Sequence, residues 1–201
     1  MKNQSTPKVI LASSSVYRKE LLSRLNFPFE TYSPDIDETP LSGELPEKTA
    51  LRLAEKKAYA AADKYPNSLI IGSDQVATLD GEQIGKPGNF ENALKQLQKM
   101  RGKKVIFHTA LCLLDARTEK PKTQIKSVQT FVTFRDLPDE EFINYLKIEQ
   151  PFDCAGSARN EALGITILEK IESEDPTALT GLPLIELTSM LRNVGFTFFR
   201  K

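Results

Sequence analysis

Four groups of charged and hydroxyl side chains, from separated segments of the chain, have types and spacing that suit phosphate chemistry. In the first, Ser13-Ser14-Ser15 follows a short apolar run, and Arg18 lies about one turn into the helix that the pattern predicts. The unpaired backbone amides of a helix N-terminus, serine hydroxyls and a guanidinium together bind phosphate oxygens. The same pattern is equally compatible with a serine that caps the helix and a solvated Arg18.

The second segment carries a carboxylate, Asp74, directly after the apolar residues 70–72 and Ser73. This pattern predicts a strand that presents Asp74 at its carboxyl end, where ligands bind in α/β proteins. A carboxylate at such a place deprotonates a water molecule or holds a metal ion. The alternative is an aspartate that bonds to nearby backbone amides in a turn.

The third group consists of two lysines, Lys57 and Lys86. Lys86 stands between Gly85 and Pro87. The proline keeps the backbone of the preceding residue extended, and the glycine lets another group approach closely. Lys86 is therefore held in a defined direction, as a phosphate ligand would be. Lys57, taken alone, is more typical of a solvated helix face.

Acidic side chains occur together in a predicted loop over residues 35–40. Asp35, Asp37 and Glu38 are hard oxygen ligands that suit Mg²⁺ or Mn²⁺ bridging the phosphates of a nucleotide. The alternative is an ordinary solvated loop. Two other features are less specific, since the small and polar residues 154–161 are fit to line a site of any kind and His108, in a predicted strand, is more typical of packing.

The bulk composition excludes several classes of protein. Lys and Arg together number 27, as do Asp and Glu, so no basic field attracts nucleic acid. The two cysteines indicate free thiols in a reducing compartment. Because no apolar run suits a signal peptide or a membrane span, we expect a cytoplasmic protein without a membrane partner. The sequence also contains no glycine-rich P-loop, no paired Cys/His metal site and no nucleophile elbow.

The elements that must position these side chains alternate irregularly between strands and helices. Strands are predicted at residues 9–12, 27–32, 68–72, 76–79, 105–114, 125–134 and 164–171, and helices after the serines and at residues 46–65, 89–100, 138–148 and 182–194. Asp80-Gly81 predicts a tight hairpin turn. This order indicates the α/β (α+β) class with a mixed sheet, built as a single unit over residues 1–201.

Together these segments resemble the Maf family of nucleotide pyrophosphatases over nearly the whole chain. The resemblance rests on the order and spacing of Leu11-Ala12-Ser13-Ser14-Ser15 with Arg18, Asp37-Glu38-Thr39-Pro40, Lys57-Ala58, Ile71-Gly72-Ser73-Asp74-Gln75, Gly85-Lys86-Pro87 and Gly181-Leu182-Pro183. It implies a two-lobed α/β fold with a central cleft, dependence on a divalent metal cation (Mg²⁺ or Mn²⁺), and release of pyrophosphate from a nucleoside triphosphate. A homodimer is in keeping with the family.

The same resemblance implies roles for individual residues. Asp74 is the proton acceptor and, with Glu38, a metal ligand. The phosphate-binding positions fall on Ser13, Ser15, Arg18, Lys57 and Lys86. Preorganised cations and a metal ion would stabilise the charge that develops on the phosphoryl oxygens, so no serine nucleophile is required.

Gln75 after the aspartate, and the Cys-Ala-Gly-Ser run that leads to Glu161, resemble the branch of the family that hydrolyses 7-methyl-GTP. That branch places specificity on Tyr17, Gln75 and Glu161, although an indole is more familiar than the phenol of Tyr17. Methylation makes guanine cationic, so an aromatic face attracts it and a carboxylate accepts from its N–H edge. Two alternatives are a dTTP/UTP pyrophosphatase of the same family and a non-catalytic, nucleotide-binding regulator of cell division.

Overall fold

The computed structural model describes residues 7–199, which form one mixed sheet flanked by helices. The strands are β1 (Lys8–Ala12), β2 (Glu30–Tyr32), β3 (Ser68–Leu79), β4 (Glu82–Ile84), β5 (Lys104–Asp115), β6 (Lys122–Phe134) and β7 (Leu168–Ser173). The helices are α1 (Val16–Ser23), α2 (Pro46–Ala62), α3 (Phe90–Met100), α4 (Asp139–Glu149) and α5 (Leu184–Asn193), with short 3₁₀ helices at Ala155–Ser157 and Leu163–Ile167. The predicted α/β class with a mixed sheet is confirmed.

The sheet order is β2-β1-β3-β5-β6-β7, and β4 pairs with β3 outside this path. Strand β5 covers one edge of β3 from Leu69 to Thr78. The other edge is shared, because β1 runs parallel to β3 as far as Gly72 and β4 runs antiparallel to it from Ala77 onward. On this second edge, residues 73–76 of β3 pair with neither β1 nor β4, which leaves a gap in the sheet.

Three apolar clusters surround this gap. Helix α2 packs its alanines against Ile70 and Val76 on one face of β3. Helices α1 and α5 cover the opposite face at the β1 end of the sheet, where Leu69 and Ile71 point. Helices α3 and α4 form a further cluster around the β4 end, with Ala77. Two of these clusters thus lie toward the β1 and β4 ends of the sheet, and the third, beneath α2, extends between them.

Gly72 permits an unusually close approach of α2 to β3. A Cβ atom at this position would lie 2.1 Å from the carbonyl oxygen of Ala54 and 2.9 Å from the amide nitrogen of Ala58. Only glycine fits beneath the helix at this distance. Lys57 lies between these two alanines in the sequence, so the contact also sets how near its side chain comes to the strand.

Several predicted boundaries are wrong in informative ways. Residues 68–72 and 76–79 belong to one strand, β3, so Asp74 lies within a continuous strand and not at its carboxyl end. Residues 164–167 form a 3₁₀ helix because the backbone turns tightly against Arg159, and the strand begins only at Leu168. The predicted strand over residues 27–32 is confined to β2, since Pro28 has no amide hydrogen to donate to a sheet.

Other expectations are confirmed. The Asp80-Gly81 turn joins β3 to β4 with positive φ at both residues, and β5 and β6 form the long hairpin. Cys112 and Cys154 are free thiols. His108 is buried in β5, with Nε2 3.3 Å from Thr78 Oγ1.

A separate finding concerns the helices: within residues 7–199, none combines the length and the apolar character needed to cross a membrane.

Candidate active site

A cavity of about 570 Å³ opens at the gap in the sheet, and all the side chains that the sequence singled out for the site line it except Asp35 and Asp37 of the acidic loop. Its lining includes Ser13, Ser15, Tyr17, Arg18, Glu38, Lys57, Asp74, Gln75, Lys86 and Glu161. These residues come from α1, α2, β3 and four loops, and they meet at the gap in the pairing of β3. The roles assigned to them individually stay predictions.

The ammonium group of Lys57 lies between two carboxylates. Its Nζ atom is 2.7 Å from Asp74 Oδ1 and 2.7 Å from Glu38 Oε1. The side chains of Lys57 and Asp74 are only 8% and 10% exposed, whereas that of Glu38 is 54% exposed. Lys57 is therefore not part of a solvated helix face. Buried charges of this kind persist because each has a partner.

Two opposing effects act on Asp74. Burial raises the pKa of its carboxyl group above the ordinary value, while the positive charges of Lys57 and Arg18 lower it. Burial has the larger effect, so Asp74 binds a proton more readily than an exposed aspartate does. A carboxylate with a raised pKa is a stronger general base, provided that it is still ionised at the working pH.

The serine turn after β1 both caps α1 and orients Arg18. Ser15 is the N-cap residue, and its Oγ atom accepts a hydrogen bond from the Arg18 amide at 3.4 Å. Ser13 is buried, and its Oγ atom accepts from the Ser15 amide at 3.2 Å. The capping interpretation is thus correct for Ser15. It does not exclude phosphate binding, since both serines also line the cavity.

Arg18 is held by the protein and not solvated. Its Nε atom donates to the carbonyl oxygen of Gly181 at 2.8 Å, and its Nη1 atom lies 3.4 Å from Ser13 Oγ. Burial lowers the pKa of the Arg18 guanidinium, and the negative charges of Asp74 and Glu38 oppose that effect. An arginine side chain nevertheless stays charged in proteins. Arg18 therefore supplies a fixed positive charge near Asp74.

Lys86 enters the gap from the opposite side. Strand β4 ends at Ile84, paired with Ala77, and the next two residues, Gly85 and Lys86, line the cavity. The Ser13 turn enters the same gap from the end of β1. Within residues 7–199, the Lys86 ammonium makes no ion pair or hydrogen bond, so its charge is available to a ligand in the cavity.

The loop that carries Glu38 is fastened to α2. Arg52 donates from Nε and Nη2 to the two carboxylate oxygens of Glu44, each at 2.7 Å, and Nη2 also lies 3.2 Å from the Thr39 carbonyl oxygen. The bonds from Arg52 lower the pKa of Glu44 to about 2. Because Thr39 follows Glu38 directly, this ion pair limits where the Glu38 carboxylate can lie.

The acidic loop does not supply a metal site by itself. Asp37 accepts a hydrogen bond from the Thr39 amide at 2.9 Å, as in a local turn, and Asp35 is exposed. In the part of the chain that the structure describes, no group of three or more His, Cys, Asp or Glu side chains could hold a metal ion. The carboxylates that remain as candidate metal ligands are Glu38 and Asp74, which both contact Lys57. Two carboxylates completed by substrate phosphates and water are a donor set that Mg²⁺ accepts.

The opposite part of the cavity is apolar. Its wall contains Phe107, Val132, Phe134, Leu168 and Leu179. Tyr17 and Glu161 line the same cavity. Burial raises the pKa of Tyr17, and the nearby Arg159 opposes this. Arg159 itself is paired with Asp153 at 2.7 Å and Glu149 at 3.3 Å. This division into charged and apolar ends is what a nucleotide requires of a site.

A loop over residues 175–183 closes the cavity, and sequence reasoning assigned it no role. The carbonyl oxygen of Gly181 accepts from both Arg18 and Ser73, each at 2.8 Å. Buried Asp175 fixes the loop to α5, since its Oδ2 atom accepts from the Ile185 amide at 2.7 Å. Backbone carbonyls leave no trace in the residue types. The signal that could have found the loop was Gly181 (φ 109°), within the Gly181-Leu182-Pro183 motif.

Comparison with known proteins identifies the family. Residues 8–194 match the family described as Maf-like protein, so the chain belongs to the Maf family, as the sequence motifs indicated. A Cupriavidus metallidurans protein named 7-methyl-GTP pyrophosphatase is 59% identical over 199 residues, covering 99% of each chain. Proteins with the same name from Ralstonia nicotianae (58% identity, covering 96% of this chain and 98% of that one) and Burkholderia thailandensis (59%, 97% and 91%) are similar to it as well.

One solved structure, that of the Ham1 protein of Staphylococcus aureus, is similar over 64% of this chain and 72% of that chain. The two share 17% sequence identity with a TM-score of 0.46, which is too low to bear on the fold or function of this chain.

Proposed function

We propose that this protein hydrolyses 7-methyl-GTP between the α- and β-phosphates, releasing 7-methyl-GMP and pyrophosphate. The observation that supports this most directly is the buried Asp74 carboxylate, held 2.7 Å from Lys57 in a cavity that also presents Ser13, Arg18 and Lys86. A base and several fixed cations around one cavity are what hydrolysis of a phosphoanhydride needs. The relatives that are named for this activity cover almost the whole chain.

In the proposed reaction, Asp74 accepts a proton from a water molecule as the water oxygen attacks the α-phosphorus. A new P–O bond forms, the bond to the bridging oxygen breaks, and pyrophosphate leaves with that electron pair. Negative charge develops on the phosphoryl oxygens, where Arg18 and Lys86 stabilise it. No covalent intermediate is required, so Ser13 and Ser15 bind phosphate and do not act as nucleophiles.

We assign a divalent cation, Mg²⁺ or Mn²⁺, to the carboxylates of Glu38 and Asp74, completed by substrate phosphates. When bound, it would supply a Lewis acid that polarises a phosphoryl oxygen. The fit is supported by the ammonium of Lys57, which already makes contacts of 2.7 Å with both carboxylates. A place that accommodates one cation between two carboxylates has the charge and the oxygen donors that Mg²⁺ needs.

The apolar end of the cavity suits the base. Methylation at N7 gives guanine a positive charge, which an aromatic face attracts and a nearby carboxylate stabilises. Tyr17 provides the face, and Glu161 provides a carboxylate that has no ion-pair partner among residues 7–199. A cytoplasmic location and a homodimer remain predictions from the sequence.

A nucleotide panel tests this function. The protein is incubated with 7-methyl-GTP, GTP, dTTP or UTP and with Mg²⁺ or Mn²⁺, and both pyrophosphate and orthophosphate are quantified. We expect pyrophosphate without orthophosphate, and the highest kcat/KM for 7-methyl-GTP. Equal or faster turnover of dTTP would favour the alternative dTTP/UTP specificity, and binding without turnover of any nucleotide would favour a regulator.

A further inference from the structure

Gln75 and Thr109 lie directly opposite each other on β3 and β5. The Gln75 side-chain nitrogen, Nε2, donates to Thr109 Oγ1 at 2.8 Å and contacts the carbonyl oxygens of Leu179 at 3.0 Å and Ala178 at 3.1 Å. Thr109 is fully buried and donates its own hydroxyl hydrogen to the Ala178 carbonyl at 2.9 Å. With its hydrogen used in this way, the Thr109 hydroxyl is left as an acceptor for Gln75.

These contacts allow only one orientation of the Gln75 amide. Backbone carbonyl oxygens accept hydrogen bonds and cannot donate them, so the amide group that faces Ala178 and Leu179 has to be the NH₂ end. A rotated amide would place its oxygen against two carbonyl oxygens and the lone pairs of Thr109. The hydroxyl of Thr109 thus adds a third acceptor at the same end and holds the amide in place.

The fixed orientation has a consequence for the carbonyl end, Oε1. Among residues 7–199, no group donates a hydrogen bond to Gln75 Oε1, and this atom is not one of the buried atoms that lack a partner. It therefore retains accessible surface in the cavity that Gln75 lines. The protein therefore presents a hydrogen-bond acceptor to the ligand at this position. Rotation of the amide, which would present the NH₂ donor instead, is unfavourable.

The position of this acceptor points to the base and not to the phosphates. Gln75 alternates with Asp74 along β3, and it shares its face of the strand with Ala77, which belongs to the apolar cluster around Phe107 and Leu179. A carbonyl oxygen repels phosphate oxygens, whereas it accepts well from a ring N–H on the Watson–Crick edge of a base. Guanine, uracil and thymine carry such an N–H, and adenine and cytosine present a bare nitrogen instead.

We propose that Thr109 is a positioning residue, which fixes the amide of Gln75 so that the site selects bases with a ring N–H. The inference rests on the proposed function. It adds Thr109 as the residue that orients the Gln75 side chain, which in turn contacts the base. A site built to accept a hydrogen bond discriminates against a base that lacks the donor, because the acceptor is then left unpaired. Without the Thr109 hydroxyl the amide is held less firmly, and this discrimination weakens.

The test compares Thr109→Val, which keeps the shape and loses the hydroxyl, with Thr109→Ser, which keeps the hydroxyl. The readout is the ratio of kcat/KM for GTP to that for ATP, since these purines differ at the ring nitrogen. We expect Thr109→Val to lower the ratio about tenfold, the value of one good hydrogen bond, and Thr109→Ser to keep it within about twofold. Equal losses for both nucleotides in Thr109→Val would mean a merely structural role and would overturn the proposal.

A double-mutant cycle shows whether Thr109 acts through Gln75. In a Gln75→Leu background, Thr109→Val should change the ratio no further, whereas an additional independent change would contradict the inference. If Thr109→Val does not fold, as judged by its thermal unfolding, Thr109→Ala takes its place in both experiments. Turnover of 7-methyl-GTP by the unmodified protein is measured alongside. The absence of this turnover would refute the proposed function, whereas an unchanged ratio in Thr109→Val would refute only the role of Thr109.

Discussion

The contact between Gly72 and α2 allows a quantitative prediction about how the scaffold positions Lys57. In Gly72→Ala, the new Cβ atom would lie 2.1 Å from the Ala54 carbonyl oxygen. Ordinary non-bonded contact begins at about 3.5 Å, so α2 has to recede from β3 by roughly 1.4 Å. The bond of 2.7 Å from Lys57 to Asp74 then stretches beyond hydrogen-bonding distance.

Two effects of opposite sign determine the change in stability. Alanine in place of glycine within a strand reduces the entropy of the unfolded chain and would stabilise the protein by ~0.4–1 kcal/mol if the methyl group fitted. Overpacking costs about 1–3 kcal/mol, and here the obstacle is backbone, which cannot swing aside as a side chain can. We therefore expect a net loss of about 1–2 kcal/mol in the free energy of unfolding. Misplacement of the catalytic groups by about 1 Å should lower kcat about 10²-fold.

Urea-induced unfolding measures the stability, and the rate of pyrophosphate release measures kcat. Gly85→Ala is the control for stability, because its added methyl group meets no atom within 4 Å. A Gly72→Ala protein that is more stable than the unmodified protein and retains its activity would refute the reasoning, since the strand would then have room for the side chain.

Three further predictions concern the charged end of the cavity. With Asp74 as the proposed base, activity should fall as the pH decreases through its pKa, because only the ionised carboxylate accepts a proton. Lys57→Met removes a charge that lowers this pKa, so it should move the acidic limb of the kcat/KM profile to higher pH and reduce the plateau on the order of 10²-fold. Lys56→Met, at the exposed neighbouring position, is the matched control. An acidic limb that is unchanged in both variants would mean that Lys57 does not influence the pKa of the base. Glu38→Gln should raise the Mg²⁺ concentration for half-maximal activity about tenfold, and an unchanged titration would return Glu38 to a solvated role. Arg52→Lys loses the bidentate ion pair with Glu44 that fastens the acidic loop, so it should raise the Mg²⁺ concentration for half-maximal activity by about threefold. An unchanged Mg²⁺ titration would mean that this ion pair does not position Glu38.

The sequence predicts the elements well where a single local pattern governs them. The Asp80-Gly81 hairpin, the long β5–β6 pair and the serine turn before α1 all follow from turn chemistry, alternation or capping. Strand β3 was instead divided in two, because Ser73, Asp74 and Gln75 interrupt its apolar pattern. The interruption coincides with the cavity, where Asp74 and Gln75, to which we assign functional roles, replace the pattern that folding alone would favour.

The features of the site that escaped prediction depend on pairing between distant segments. The gap that admits Ser13 and Lys86 arises from the register of β1 and β4 on one edge of β3, and no local pattern reveals such a register. Thr109 is hidden for a different reason, since a β-branched residue is expected in any strand and only its buried hydroxyl partners give it a role. The carbonyl oxygens of residues 178–181 have no signature in the residue types.

The role of Asp74 as the general base is the claim on which the proposed function depends most, and Asp74→Asn tests it directly. The variant keeps the shape of the side chain and removes its capacity to accept a proton at neutral pH. The measurement is a pair of constants for 7-methyl-GTP: kcat for pyrophosphate release and the Kd from calorimetry. We predict that kcat falls by about 10²–10⁴-fold while Kd stays within a few-fold of the original value. An Asp74→Asn protein that still releases pyrophosphate at the original rate would contradict the mechanism.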